Sequence, residues 1–200
     1  KIGSAVELGV LRKLRACKSN IGDLICENGK HEIYYTRKVS FFLQFLDFVP
    51  QVQDRSGMRA PSEMKVLTFK EVGTARLALA CLSTSLFYWY NILNSDCRNL
   101  NKREIMSFPV PDLLSKDVPG EFTELLERLM GSYQDNSCLR TVEYVGRGAI
   151  TVQYFDFRPS KPVIDEIDQI LAEHYGFTDE ELDFITNYDI KYRMGDQIGG

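Results

Sequence analysis

Between Thr74 and Leu93 the chain is apolar on nearly every side, with Leu77, Leu79, Leu82, Leu86, Phe87 and Trp89 spread around any helical projection. A helix without a polar face has to be enclosed by other elements. It is not a membrane span, because Arg76 lies near its start and Ser83-Thr84-Ser85 at its middle, so no run of about eighteen residues is free of charge and polarity. The remaining chain must therefore wrap it. With 200 residues, 44% hydrophobic and 26% charged, there is enough material for one or two globular domains with a real core, and disorder and fibre are excluded. The run Phe87-Tyr88-Trp89-Tyr90 has the faces to stack on bases, but helical spacing sends its members in different directions, and packing is the expected use.

Around this helix the patterning predicts a small mixed sheet and further helices. Ser4 to Cys17 reads as an amphipathic helix, with Val6, Val10, Leu11 and Leu14 on one face and Arg12, Lys13 and Arg15 elsewhere. Strand-like runs follow at Ile33–Thr36, Phe41–Leu46 and Met64–Phe69, broken by Pro50, Gly57 and Pro61. Residues 51–62 read as a long polar loop carrying Asp54, Arg55 and Arg59, the kind of connection that often holds binding residues on a rigid scaffold. Asn94 to Arg103 is polar and basic, and Phe108-Pro109-Val110-Pro111 reads as extended. Glu121 to Met130 is a predicted helix, 131–137 a loop, and Arg140–Val145 with Ala149–Phe155 a hairpin around Gly146-Arg147-Gly148. In the tail, Pro162 suits a first helical turn. Ile164, Ile167, Leu171 and Tyr175 form a stripe that Gly176 ends, and Thr178 with Glu181 makes a capping box. The expected architecture is α/β (α+β): a recognition unit over 1–114 and a helix, β-hairpin and helix subdomain over 115–200.

Charge divides the chain at nearly the same place. Residues 1–115 carry 16 Lys and Arg against 11 Asp and Glu, while residues 116–200 carry 8 against 17, so a net charge of −4 conceals halves of +5 and −9. An acidic total argues against indiscriminate nucleic-acid binding, yet a locally basic surface can still follow phosphates. Asp165, Glu166, Asp168, Asp179, Glu180, Glu181 and Asp183 would repel phosphate and read as a solvated helix face that packs on protein. The five cysteines have no CxxC spacing, which argues against a disulfide framework and structural zinc and fits a reducing cytoplasm. His31 and His174 are far apart and read as surface or capping residues. A start at Lys1 without a signal-peptide pattern reads as a fragment of a longer protein.

Catalytic motifs are missing: there is no glycine-rich phosphate loop, no nucleophile elbow and no base-flipping Asn/Asp-Pro-Pro-aromatic tetrapeptide. Glu63-Met64-Lys65, preceded by Asp54, has the (D/E)xK spacing of a magnesium-dependent nuclease. Asp189-Ile190-Lys191 repeats that spacing. From 28 acidic residues and 11 lysines, chance supplies about 1.5 such pairs, so two carry no signal.

Two stretches carry a family resemblance: STSLFYWYNILNSDCRNLNKREIMSFPVP over 83–111, and SKPVIDEIDQILAEHYGFTDEELDFITNYDIKYRMG over 160–195, led by Phe-Asp-Phe-Arg. They resemble the C-terminal TaqI-like target recognition (specificity) domain of type II (IIG/IIS) restriction-modification enzymes, which fuse an adenine-N6 DNA methyltransferase to a DNA reader. The match departs at Leu82-Ser83-Thr84, where the family reads Leu-Asn-Ser. The resemblance implies a domain that positions double-stranded DNA for an upstream methyltransferase module of the same polypeptide and has no catalysis of its own. S-adenosylmethionine and magnesium would then belong to the upstream modules, with no cofactor here. Arg37, Lys38, Arg55, Arg59, Lys65, Arg98, Lys102 and Arg103 are the candidate phosphate or guanine contacts. Asn99 and Asn101 are candidates for bidentate contacts to adenine, although asparagines in a turn more often serve as Asx-type backbone caps. The other readings are a metal-dependent nuclease using Asp54, Glu63 and Lys65, and a protein-interaction module using the acidic tail.

Overall fold

The computed structural model describes residues 3–112, 114, 120–144 and 148–195. The apolar segment that dominates the sequence lies at the centre, but as two helices, α3 (Val72–Leu82) and α4 (Ser85–Asn94). The single helix expected over 74–93 is thus broken at Ser83-Thr84, for a reason distant in the chain. Thr84 caps α4 by accepting from the Phe87 amide at 3.1 Å, and the buried Asp168 carboxylate accepts from the Ser85 and Leu86 amides at 3.0 and 3.2 Å. These bonds satisfy donors that every helix start leaves open.

Asp168 belongs to α7 (Lys161–Tyr175), one of the helices that enclose the centre. Burial pushes its carboxyl up to about 6, against the lowering effect of the Ser85 and Leu86 donors and of Lys161. Arg193 completes the network. It is 3% exposed, donates to Ser85 Oγ at 2.8 Å and to the Phe41 carbonyl at 3.1 Å, and lies over the rings of Phe42 and Tyr88. Asp168 and Glu181, expected on a solvated acidic face, are therefore interior groups; Glu181 binds Lys13 and the Thr178 amide. The expected solvent role fails because each carboxylate meets donors that replace water.

The other helices follow their local codes. In α1 (Ala5–Ala16), Ser4 and Glu7 form a capping box and Val10, Leu11 and Leu14 are buried. In α7, Ile164, Ile167, Leu171 and Tyr175 are buried and Gly176 ends the helix at φ 68°. The Thr178–Glu181 box opens α8 (Asp179–Thr186). Helix α6 (Glu121–Asp135) runs through Gly131 instead of ending at 130, because Tyr133, one turn further, is buried in the core. Short helices α2 (Ile21–Leu24), α5 (Lys102–Met106) and α9 (Ile190–Met194) and a 3-10 turn at Arg158–Ser160 complete the helical set among the described residues. Phe87, Tyr88, Trp89 and Tyr90 are all buried, with Phe87 edge-on to Phe45 and Phe108 at 5.7 and 5.1 Å. Packing is indeed their use.

All strand pairings among the described residues are antiparallel, in three small sheets. Strands β1 (Ser19–Asn20) and β7 (Pro109–Val110) make the first. The second has the order β3 (Phe45–Leu46), β2 (His31–Thr36), β6 (Met64–Phe69). Only the end of the expected 41–46 strand pairs; Phe42 and Leu43 are buried in the core without a ladder. The third sheet has the order β5 (Gly57–Met58), β4 (Val52–Asp54), β9 (Gly148–Phe155), β8 (Ser137–Tyr144). Residues 51–62 are thus a small hairpin rather than a plain loop, and Val52 and Gln53 of β4 pair with Val152 and Thr151 of β9. The expected hairpin strands are present; positions 145–147 of its turn lie outside the described residues, as do 115–119 beside the expected boundary at 114. One buried cluster includes residues from Val10 to Ile185, and packing crosses position 114. No helix among the described residues is long and apolar enough to cross a membrane.

Candidate functional site

Seven of the ten candidate residues converge on one edge. Beyond the end of β2, Lys38 forms an antiparallel bridge with Asn99, and the Leu100 amide donates to the Arg37 carbonyl at 2.8 Å. Leu100 is fully buried and anchors the segment, leaving the polar residues on either side in solvent. The preceding turn is tied by Asp96, whose carboxylate accepts from the Arg98 and Asn99 amides at 2.9 and 3.4 Å; these bonds hold its carboxyl below the usual range. Arg37, Lys38, Arg98, Asn99 and Lys102 are consequently exposed on adjoining segments, with Asn101 and Arg103 beside them.

Bonding separates the available groups from the committed ones. Asn101 accepts from Arg37 Nη2 at 3.0 Å and donates to the Asn99 carbonyl at 3.2 Å, so its amide orients the edge. No side-chain hydrogen bond of Asn99 occurs among the described residues, which leaves its amide open to a ligand. Arg103 gives Nε and Nη2 to one carboxylate oxygen of Glu104 at 3.1 and 2.7 Å. Glu104 is 2% exposed, so Arg103 neutralises a buried charge although its own side chain is 81% exposed.

The remaining three candidates lie elsewhere on the strand framework. Arg59 pairs with Asp54 at 3.1 Å within the β4–β5 hairpin. Arg55, in the turn of that hairpin, rests against Gly148, where an added Cβ would come within 2.4 Å of its Nε. Gly148 also has φ 76°, so the position excludes a side chain twice over. Lys65 is exposed on β6, opposite Tyr35.

Two clefts link these groups. One, of about 220 Å³, is lined by Arg59, Gln51, Ser62 and Glu63 over apolar walls that include Val52, Ile150 and Val152. The other, of about 200 Å³, is lined by Lys38, Ser40, Tyr154 and Phe157. Both include Thr36, Gln44 and Gln153, so they meet between the second and third sheets. Gln153 is engaged there, accepting from the Gln51 amide at 3.1 Å and donating to Ser137 Oγ at 2.9 Å. Sequence reasoning missed this channel, because its two walls come from strands about a hundred positions apart.

The nuclease trio is not assembled for metal. Asp54 is occupied by Arg59 and by the Ser56 amide at 2.7 Å, and Glu63 is an exposed residue ahead of β6. Among the described residues no group of three His, Cys, Asp or Glu side chains is placed to share an ion. His31 lines a separate cavity of about 440 Å³ with Lys30, Asp47, Arg76 and Glu127, and His174 lies in the last turn of α7. All five cysteines are free. Comparison with family models, curated proteins and solved structures gives no match to this chain.

Proposed function

We propose that this chain is a sequence-reading DNA-binding domain without catalysis of its own, a target recognition domain of the type II restriction-modification kind. It would act in the cytoplasm, positioning a duplex for an adenine-N6 methyltransferase module upstream in the same polypeptide. S-adenosylmethionine and magnesium belong to those upstream modules in this reading. The observation that carries it is the bridge between Lys38 and Asn99, which gathers Arg37, Lys38, Arg98 and Lys102 on one exposed edge with an open asparagine amide among them. Clustered cations supply the sequence-independent affinity for phosphate, and amide and guanidinium groups read base edges. The resemblance of 83–111 and 160–195 to such readers supports the same conclusion, and its first stretch contains the edge residues Arg98, Asn99 and Lys102.

The test is fluorescence anisotropy of the chain with a labelled 30-bp duplex pool of randomised sequence, titrated at several salt concentrations. Lys38→Ala with Lys102→Ala is expected to weaken binding and to flatten the log-log salt slope by about 0.9 for each phosphate no longer neutralised. Binding that is indifferent to salt, or no binding of duplex even at low salt, overturns the proposal.

A further inference from the structure

The β8–β9 ribbon belongs to the acidic half of the sequence, yet β4 joins it to the sheet that carries Arg55 and Arg59. From Cys138 through Glu143 every residue of β8 is exposed, and the strand's second edge is unpaired among the described residues. Eight residues at about 3.3 Å each make a strand roughly 26 Å long. At the level of Arg140 and Thr141, β9, β4 and β5 lie behind it in a four-stranded sheet, so what β8 offers a major groove about 12 Å wide is its free edge.

The chemistry on this ribbon suits a duplex. Register places Arg140 opposite Val152 and Cys138 opposite Tyr154, so Arg140 and Tyr154 share a face. There the Arg140 guanidinium lies 3.5 Å from the centre of the Tyr154 ring, which braces a flexible, exposed side chain. On the opposite face Thr141 and Thr151 are paired across the strands and joined through their hydroxyls at 2.9 Å. At the far end Arg55 lies against Gly148. Exposed Leu139 and Val142 add apolar surface that can meet a thymine methyl group.

Position relative to the basic edge decides the occupant. Tyr154 of the ribbon and Lys38 of the edge line the same cleft, so a duplex held by Arg37, Lys38 and Lys102 abuts the ribbon. We propose that the free edge of β8 enters the major groove and that Arg140 and Thr141, which flank that edge on its two faces, determine which base sequence is read, while the Lys38–Asn99 edge holds the phosphates. This rests on the DNA-binding reading above and assigns the specificity that reading leaves unplaced. Association of the ribbon with a protein strand is the competing use of an open edge.

The experiment is selection from the same randomised 30-bp pool by repeated retention on the chain, followed by sequencing of the enriched duplexes. Arg140→Ala and, separately, Thr141→Ala are then titrated on the enriched duplex and on a scrambled one, with circular dichroism melting to show that each variant folds as the parent does. Each variant is expected to forfeit about tenfold or more of the preference for the enriched over the scrambled sequence, the scale of one base-edge interaction, with affinity for scrambled DNA nearly unchanged. The Lys38→Ala, Lys102→Ala pair is expected to weaken both duplexes alike. Enrichment of a sequence whose preference survives both ribbon substitutions overturns the ribbon assignment and leaves DNA binding standing. A parent chain that retains no duplex overturns both.

Discussion

Single side chains in this fold show how little a charge pattern alone says about where charge resides. Asp168 is an interior acceptor whose carboxyl is raised to about 6 by burial. Between about pH 4 and pH 6 the unfolded chain releases this proton while the folded one keeps it, so this group's contribution lowers stability as pH rises through that window. Asp168→Asn removes the titration. The stability difference between variant and parent, from urea melts, is expected to shift in the variant's favour by about 2 kcal/mol between pH 4 and pH 7. A flat difference across that range contradicts the assignment. Arg103 makes a similar point in the exposed direction: Arg103→Ala strands the buried Glu104 and is expected to cost about 1–3 kcal/mol. Lys102→Ala, at an exposed neighbour, should stay within about 0.5 kcal/mol in the same melts. A double substitution of 102 and 103 therefore confounds DNA binding with folding, and Lys102 is the cleaner probe.

At the level of elements, features coded within a few residues are legible in the sequence, and features that depend on distant partners are not. Ser4 with Glu7, Thr178 with Glu181, the apolar stripe of α7 and Gly176 are local codes, and each is realised. The break between α3 and α4 is not local, since Asp168 supplies two of its acceptors from more than eighty positions away. Removing the local part of that break, by Thr84→Ala, is expected to destabilise by about 1 kcal/mol, measured as a lowered urea midpoint with an unchanged slope. For α6 the misleading residue is Gly131, whose propensity cost is overridden by burial of Met130 and Tyr133 on either side of it. Of the candidate site, the basic residues on 37–38 and 98–103 are legible as composition, but not the bridge that unites them, because Lys38 and Asn99 carry no pattern that announces a pairing. Arg140 escapes notice for a related reason: it lies in the half whose net charge is −9.

For the molecule as a whole, net charge by sequence half is a poor map of the surface. The acidic residues that remain in solvent on α7 and α8 include Glu166, Asp179 and Glu180, while the ribbon from the same half joins the sheet whose hairpin carries Arg55 and Arg59. Neutralising Asp179 and Glu180 together (Asp179→Asn, Glu180→Gln) is expected to leave duplex affinity unweakened, since removing negative charge away from the phosphates can only assist at long range. A loss of binding in the same anisotropy titration would place the duplex against α8 instead. The pairing of β4 with β9 has a further consequence, for the order in which the chain becomes structured. The Gln51 amide waits for a partner 102 residues later, so the hairpin at 52–58 leaves the ribosome well before the strand that completes its sheet. Closing so long a loop is slow, and during synthesis β4 presents an unpaired edge that only the last third of the chain can cover.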